Sequence, residues 1–225
     1  MFSTSPIPAV PTMDFAAARA ELIDQLSTEI KDKRVLEAMH SIPRELFVPP
    51  ACRHLAYEDR PLPIGYDQTI SQPFIIALMT EALALKGNEK VLEVGTGSGY
   101  QAAILAKLAR YVVTTERIQA LAELAKKLLD RLGFTNIEIH VAEETLGWQK
   151  EAPYDAIIVT AGAPRVPPDL LAQLKIRGRM VIPVGSRYIQ ELCRITRGRK
   201  RNVIENLGGC RFVSLIGKGA WEKEE

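Results

Sequence analysis

A glycine-rich turn is the part of the sequence whose residue types and spacing most clearly predict chemistry. Glu93-Val-Gly95-Thr-Gly97-Ser-Gly99 follows a short apolar run typical of a buried strand and precedes a helical pattern. The glycines permit positive φ and let a ligand approach the backbone closely. The G-x-G-x-G spacing differs from the G-x-G-x-x-G of dinucleotide sites, and no lysine follows as in a phosphate-binding loop. The turn therefore predicts a ligand site of another kind.

An acidic residue at the end of the next predicted strand indicates the class of ligand. Glu116 comes 21 residues after Gly95, close to the spacing of about 20 for an acid that accepts hydrogen bonds from ribose hydroxyls. Strand, glycines, helix, second strand and acid in this order predict a nucleoside cofactor. S-adenosylmethionine fits better than NAD, because Glu93 can face the amino group of that cofactor.

Alternating strands and helices are predicted to position these residues. A parallel sheet covered on both faces follows from such alternation, with the glycine turn at the carboxyl end of its first strand. The predicted strands are Lys90–Val94, Tyr111–Thr115, Asn136–Val141, Ala156–Thr160 and Met180–Val184. The predicted helices are Tyr100–Ala109, Ile118–Leu132 and Asp169–Leu174.

The segments on either side of this core extend it. Apolar residues at helical spacing predict a helix from Asp14, a second around Val35–Met39 and a third over Phe74–Leu85, whereas residues 51–72 are mixed and turn-rich. Strands at Glu191–Thr196, Val203–Leu207 and Arg211–Ile216 suggest antiparallel additions at one sheet edge. The fold class is thus α/β: a doubly wound, mostly parallel, Rossmann-like methyltransferase sheet with N-terminal helices and antiparallel C-terminal strands.

The domain organisation is simple. Residues 1–13, which are rich in proline and small residues, read as a flexible tail, and 14–225 as a single domain. Within it we distinguish three parts. They are N-terminal helices with a substrate-side segment (14–72), a cofactor-binding core (73–185) and C-terminal strands (186–225).

Bulk composition excludes several classes of protein. A formal charge of +2, from 29 basic and 27 acidic residues, gives no reason to expect nucleic acid or a membrane surface as a partner. Three cysteines without a CxxC pair indicate neither a disulfide framework nor a metal site. No secretory signal or membrane-length apolar run is recognised, so we expect a cytoplasmic protein, and a monomer.

Several motifs together resemble the protein-L-isoaspartate O-methyltransferase family. The glycine motif is shared by many methyltransferases, but Gln-Thr-Ile-Ser-Gln-Pro, residues 68–73, is much more specific. The resemblance runs from about Val35 to Leu215. The matching segments are Ile64–Pro73, Val91–Gln101, Thr115–Ile118, Gly147-Trp148, Asp155–Ala161, Arg179–Gly185 and Arg211–Leu215.

The resemblance implies a function and a set of site residues. Members methylate the free carboxylate of L-isoaspartyl residues in damaged proteins and peptides, using S-adenosylmethionine and releasing S-adenosylhomocysteine. The methyl ester then collapses to a succinimide, which hydrolyses partly to normal aspartate. The catalytic serine maps onto Ser71, and Thr69, Ile70 and Val184 are assigned to the substrate. The residues assigned to the cofactor are Glu93, Gly95, Thr96, Gly97, Ser98, Gly99, Glu116, Arg117, Glu143 and Thr160.

The residues alone suggest a different role for Ser71. It stands just before Pro73 and an apolar helix, where a serine typically caps the helix N-terminus. The resemblance favours catalysis instead, and both roles can coexist. His40, His54 and His140 are scattered and suggest no triad. A carboxylate with a pKa of about 4 is already ionised at neutral pH, so its methylation needs no general base.

Two positions depart from the family pattern. Asp67 stands where the family often has glycine, two residues before Thr-Ile-Ser. Ala142-Glu143-Glu144 replaces a Gly-Asp-Gly whose aspartate lies near the adenine ring. Glu143 can still accept a hydrogen bond from the adenine amino group, but only with a shifted backbone. The sequence therefore does not predict how tightly the cofactor binds.

Two alternatives remain at this point. The cofactor site alone also fits a methyltransferase acting on a small molecule or RNA, and the altered 142–144 segment leaves room for a catalytically inactive binding module. The only basic cluster, Arg197-Gly-Arg-Lys-Arg201, reads as a solvated hairpin tip.

Overall fold

The computed structural model describes residues 14–222, and the tail predicted for 1–13 lies outside them. A seven-stranded sheet forms the centre, in the order β5-β4-β3-β6-β7-β8-β9. The first five of these strands are parallel neighbours, and β8 and β9 add antiparallel at one edge. The strands are β3 (Lys90–Val94), β4 (Tyr111–Glu116), β5 (Ile137–Val141), β6 (Tyr154–Val159), β7 (Leu174–Gly185), β8 (Gln190–Thr196) and β9 (Val203–Cys210). The predicted fold class is confirmed.

Six α-helices cover the sheet and extend it at the N-terminus. Asp14 and Asp32 cap the first two helices by accepting hydrogen bonds from backbone amides of the first turn. The helices are α1 (Phe15–Ser27), α2 (Lys33–Ser41), α3 (Pro73–Leu83), α4 (Tyr100–Leu108), α5 (Gln119–Arg131) and α6 (Pro168–Gln173). Three short 3₁₀ helices lie at Arg44–Phe47, Pro50–Leu55 and Gln149–Glu151.

The central strands are apolar on both sides because each side of the sheet is covered. In β6, Ala156 and Ile158 belong to one core cluster, and Ile157 and Val159 to the other. Alternate residues of a strand point to opposite faces, so a sheet buried on both faces requires a continuous apolar run. The first cluster joins the sheet to α1–α4, so the N-terminal helices share the core of the cofactor-binding unit.

A hairpin within the turn-rich segment was not predicted. Strands β1 (Leu62–Gly65) and β2 (Gln68–Ile70) pair antiparallel, apart from the main sheet. Its tip places Tyr66 and Asp67 at φ of 54° and 56°, the left-handed region that aspartate tolerates better than most side chains. A left-handed conformation at position 67 explains why the family often has glycine there, and Asp67 adopts that conformation with its side chain present.

The strand predicted over Arg211–Ile216 is wrong. Pairing of β8 with β9 ends at Gln190 and Cys210, and the Phe212 amide donates instead to the Gln190 Oε1 atom at 2.8 Å. The chain then leaves the sheet edge. It contacts Gly162 through two backbone hydrogen bonds, from Gly162 N to Val213 O at 2.7 Å and from Leu215 N to Gly162 O at 2.8 Å. This departure brings the 213–216 segment to the site described below.

Candidate active site

One pocket lies at the carboxyl ends of β3 and β4, where a doubly wound sheet binds ligands. It comprises about 890 Å³ of empty space, part of which is open solvent. Its walls come from 68–71 at the second strand of the hairpin, 94–98 in the glycine turn, 115–117 at the end of β4, and the loops at 160–161 and 213–216. The turn and the Thr-Ile-Ser segment, far apart in sequence, therefore share one cavity.

The glycine turn has a conformation and a packing that side chains would disturb. Gly95 has φ of +103°, and a Cβ there would lie 2.3 Å from Thr160 Oγ1. That hydroxyl donates to the carbonyl oxygens of Gly95 at 2.7 Å and Val94 at 3.1 Å. Gly97 lines the pocket, whereas Gly99 packs against Leu129 and is not part of the wall. The first two glycines thus shape the cavity, and Gly99 closes the turn against α5.

Glu116 is held at the pocket edge by the backbone on either side of it. Its Oε2 atom accepts from the Gly97 amide and its Oε1 atom from the Ile118 amide, both at 2.9 Å. A carboxylate oxygen has two lone-pair directions, so each oxygen can accept one more hydrogen bond. This arrangement suits two adjacent hydroxyls of a ribose. Arg117 also lines the pocket.

Ser71 lines the pocket and does not cap α3. The N-cap residue is Gln72, and its side chain forms no hydrogen bond with the first turn of α3. Asp59 takes over that task, because its Oδ1 accepts from the Phe74 amide and its Oδ2 from Gln72 Nε2, both at 2.8 Å. The cap predicted for Ser71 is therefore wrong, and its hydroxyl is not engaged at the helix end.

A comparison with known proteins decides the family. The family described as "Protein-L-isoaspartate(D-aspartate) O-methyltransferase (PCMT)" matches residues 17–220. A protein-L-isoaspartate O-methyltransferase of Geobacter metallireducens is 55% identical over 216 residues, which cover 95% of this chain and all of that protein. One of Syntrophus aciditrophicus is 54% identical over 215 residues, 92% of this chain and 97% of that protein. The chain belongs to the protein-L-isoaspartate O-methyltransferase family.

Solved structures agree with this membership. A protein-L-isoaspartate O-methyltransferase structure superposes with a TM-score of 0.80 at 30% identity, over 90% of this chain and 67% of that one. A family structure from Plasmodium falciparum, in complex with S-adenosyl-L-homocysteine, has a TM-score of 0.77 over 91% of this chain and 99% of that one. At 24% identity the second likeness shows the fold alone.

Glu93 does not reach the pocket wall. It is completely buried, on the face of β3 that Val91 shares, and Thr114 Oγ1 donates to its Oε2 at 2.5 Å. Its Oε1 has no hydrogen-bond partner in the described chain, and burial raises the pKa of Glu93 to about 8. Thr114 is also 2.7 Å from Thr96 Oγ1, which does line the pocket. A chain of hydrogen bonds through Thr114 and Thr96 thus links Glu93 to the pocket.

Glu143 and Val184 lie away from the cavity. Glu143 is exposed and forms an ion pair with Lys150 at 2.6 Å, and Ala142 lines the pocket in its place. Val184 pairs with Glu191 of β8 and forms a β-bridge with Ala163, so its backbone belongs to the sheet. Ala161 and the 213–216 segment line the pocket instead. Apart from Glu93 and Gly99, the structure brings the other assigned residues to the cavity, namely Thr69, Ile70, Ser71, Gly95, Thr96, Gly97, Ser98, Glu116, Arg117 and Thr160.

Sequence reasoning missed several lining residues. Tyr100 and Gln101 open α4 and face the pocket, and Gln101 Nε2 donates to Thr80 Oγ1 at 3.0 Å. Both follow the last glycine directly, so their place at a helix N-terminus above the turn could have indicated this role. Ser214 falls in the Arg211–Leu215 segment that resembles the family, but its place at the pocket depends on where the chain leaves the sheet.

Proposed function

We propose that this chain transfers a methyl group from S-adenosylmethionine to the free carboxylate of L-isoaspartyl residues in damaged proteins and peptides. The observation that carries the proposal is the shared pocket, in which Ser71 and the ribose-type site at Glu116 line one cavity. Family membership supports both the cofactor and the reaction, since members are S-adenosylmethionine-dependent methyltransferases of this specificity.

The residues present fit this cofactor. Glu116 presents acceptors to the ribose hydroxyls, while Gly95 and Gly97 hold the positive φ that shapes the turn beside it. Thr96, Ser98 and Arg117 complete the nucleoside side, with Thr160 behind Gly95. When bound, S-adenosylmethionine supplies an electrophilic methyl group on positively charged sulfur.

The chain's contribution to the reaction is placement. An isoaspartyl carboxylate is ionised at neutral pH, with a pKa of about 3 to 4, so no residue has to remove a proton. The bond that forms joins carboxylate oxygen to methyl carbon, and the bond that breaks joins that carbon to sulfur. Ser71 donates its hydroxyl proton in a hydrogen bond to one carboxylate oxygen and aims the other. Such orientation of a bound pair supplies much of an enzyme's rate advantage.

The peptide lies on the same side of the pocket as Ser71. Thr69 and Ile70 line it from the hairpin, and Ser214 and Ala161 face them from the loops. A substrate with one extra backbone carbon needs an open groove rather than a closed cavity, and the pocket is open to solvent on one side. We place the peptide between these two walls.

A labelled-methyl assay on matched peptides tests the proposal. Radiolabelled S-adenosylmethionine is mixed with two peptides that differ only in an aspartyl or isoaspartyl bond, and with an RNA. Base-stable label is measured separately from label released as methanol, because a carboxyl methyl ester is labile. Release from the isoaspartyl peptide alone supports the proposal. Label on RNA, or on both peptides equally, contradicts it.

The cellular setting is part of the same proposal. In residues 14–222 no helix is long and apolar enough to cross a membrane. The cytoplasmic location and the monomeric state stay predictions from the sequence. Sedimentation of the purified chain tests the second of them.

A further inference from the structure

Arg44 is a fully buried arginine without an ion-pair partner. It opens the 3₁₀ helix Arg44–Phe47 and is 0% exposed. No carboxylate among residues 14–222 forms an ion pair with it. Removing a charged group from water costs several kcal/mol unless other groups compensate. Because burial of this charge is costly, packing alone does not explain an arginine at this core position.

Backbone oxygens and a ring hold the guanidinium in place. Its Nε donates to the Ala56 carbonyl oxygen at 2.8 Å and its Nη2 to the Ser71 carbonyl oxygen at 2.9 Å. Its Cζ lies 5.1 Å from the centroid of the Tyr100 ring, within cation–π range. The Nη1 atom has no hydrogen-bond partner in the part of the chain that the structure describes. Two of the three groups that Arg44 contacts, Ser71 and Tyr100, line the pocket.

The contact with Ser71 falls where no regular structure constrains the chain. Ile70 is the last residue of β2 and is paired with Leu62, and α3 begins at Pro73. Ser71 and Gln72 lie between these elements. Arg44 holds the carbonyl oxygen of Ser71, and Asp59 holds Gln72 and the first turn of α3. The backbone that carries the hydroxyl is thus fixed from the preceding segment, 44–59.

We infer that Arg44 is a positioning residue for the methyl transfer: its bond to the Ser71 carbonyl oxygen sets the direction in which the Ser71 hydroxyl meets the substrate carboxylate. The inference rests on the proposed function. Arginine suits this task because its planar fork donates in two fixed directions at once, which the single ammonium of lysine cannot reproduce.

Two variants of Arg44 and one control test the inference. Arg44→Lys keeps the charge and loses the fork. Arg44→Met removes the charge at similar length, which a core often tolerates. Arg179→Met is the control, because the Arg179 Nη2 atom likewise donates to a carbonyl oxygen, that of Ala84 at 3.2 Å, outside the pocket. Each variant is assayed for kcat and KM with the isoaspartyl peptide, and for the Kd of S-adenosylhomocysteine by calorimetry.

We expect a loss of turnover without a loss of cofactor affinity. Misplacement of a reacting group by about 1 Å can lower a rate by roughly 100-fold, so kcat of both Arg44 variants falls about 10- to 100-fold. The Kd of S-adenosylhomocysteine stays within about twofold, and Arg179→Met keeps the wild-type kcat. Unchanged kcat in both Arg44 variants overturns the inference, as does an equal loss of cofactor affinity.

A double-mutant cycle separates positioning from general support of the fold. In a Ser71→Ala background there is no hydroxyl to aim, so Arg44→Lys lowers kcat further by less than about twofold. A full additional loss overturns the inference, and so does a Ser71→Ala enzyme with wild-type kcat. If neither Arg44 variant folds to a form that binds S-adenosylhomocysteine, the residue is structural and the inference fails. A wild-type chain inactive on isoaspartyl peptides instead contradicts the proposed function.

Discussion

Ser71 combines a pocket position with freedom from a structural duty. Because Asp59 caps α3, the Ser71 hydroxyl can turn toward a ligand. Replacing it by alanine removes one hydrogen bond to a charged group, worth about 1.5–3 kcal/mol. We expect Ser71→Ala to lower kcat by roughly 10- to 100-fold with an unchanged Kd for S-adenosylhomocysteine. Steady-state kinetics and calorimetry measure the two effects.

The matched control for this variant is Ser41→Ala. The Ser41 hydroxyl donates to the Ala38 carbonyl oxygen within α2, away from the pocket. Its kcat should equal that of the wild type. A loss of cofactor affinity in Ser71→Ala would show that Ser71 supports the cofactor side instead.

Glu116 is the residue on which nucleoside binding most depends. Glu116→Gln keeps the shape of the side chain but replaces one acceptor oxygen by an NH₂ donor. That donor then faces another donor, either a backbone amide or a ribose hydroxyl. We expect the Kd of S-adenosylhomocysteine to rise about 10-fold or more, since a hydrogen bond to a charged group contributes about 1.5–3 kcal/mol. Calorimetry measures the change. Glu123→Gln, on the exposed face of α5, is the control, and equal Kd values for the two variants would contradict this role.

The buried carboxyl of Glu93 makes a prediction about pH. Burial raises its pKa from 4.5 to about 8, so the folded state binds a proton that the unfolded state loses between these values. The contribution of Glu93 to the free energy of unfolding is therefore complete below pH 4.5 and is lost as the pH rises toward 8. Glu93→Gln removes that dependence.

Urea unfolding of the cofactor-free chain at pH 5 and pH 8 tests the sign. The stability of Glu93→Gln relative to wild type should rise over this interval by more than about 1.4 kcal/mol, the equivalent of one pKa unit. A constant difference, or one that changes in the opposite direction, would show that Glu93 is ionised in the folded protein.

At the scale of elements, the start of α3 depends on a side chain from the turn that follows the 3₁₀ helix Pro50–Leu55. Asp59→Ala leaves the Phe74 amide without its acceptor, and loss of a helix cap costs about 1 kcal/mol. We expect the free energy of unfolding to fall by that amount, with a lower kcat because Ser71 adjoins the helix start. Asp24→Ala, at an exposed position of α1, is the control and should change stability by less than about 0.5 kcal/mol. Equal stability of the two variants would rule out the cap.

The core elements were predictable from sequence because their side-chain patterns are local. The apolar runs of β3 and β6 and the glycine turn identify themselves without tertiary information. The 211–216 segment has strand-like residues as well, yet the Gln190 side chain accepts a hydrogen bond from the Phe212 amide, and the next residues bond to the backbone of Gly162. Such a choice between backbone and side-chain partners depends on contacts distant in sequence.

The site residues divide in the same way. Ser71, Gly95 and Glu116 follow from motifs in which the residue type and its chemistry coincide. Glu93 and Glu143 have suitable chemistry, but one side chain points into the core and the other pairs with Lys150 in solvent. Side-chain direction after a strand or in a loop is set by packing, and the sequence alone does not specify it.

At the scale of the whole molecule, the pocket joins parts of the chain that fold around different core clusters. Ile76 and Tyr100 belong to the cluster under the N-terminal helices, and Val94 and Ala161 to the other. A ligand between them should stabilise the entire fold. With S-adenosylhomocysteine at 100 times its Kd we expect about 2.7 kcal/mol of added stability, measured by urea unfolding. Hydrogen exchange should slow at both 68–71 and 95–98, and slowing at 95–98 alone would contradict a ligand that bridges the two.

The capping of α3 by Asp59 has an evolutionary consequence. Because the helix start does not use the side chain at position 71, natural variation there is constrained by turnover and hardly by folding. One substitution at that position could yield a descendant that folds, keeps its nucleoside ligand and transfers methyl groups far more slowly. A poorly active nucleoside-binding protein could therefore arise from this enzyme in a single step, whereas a change at position 59 would weaken the fold itself.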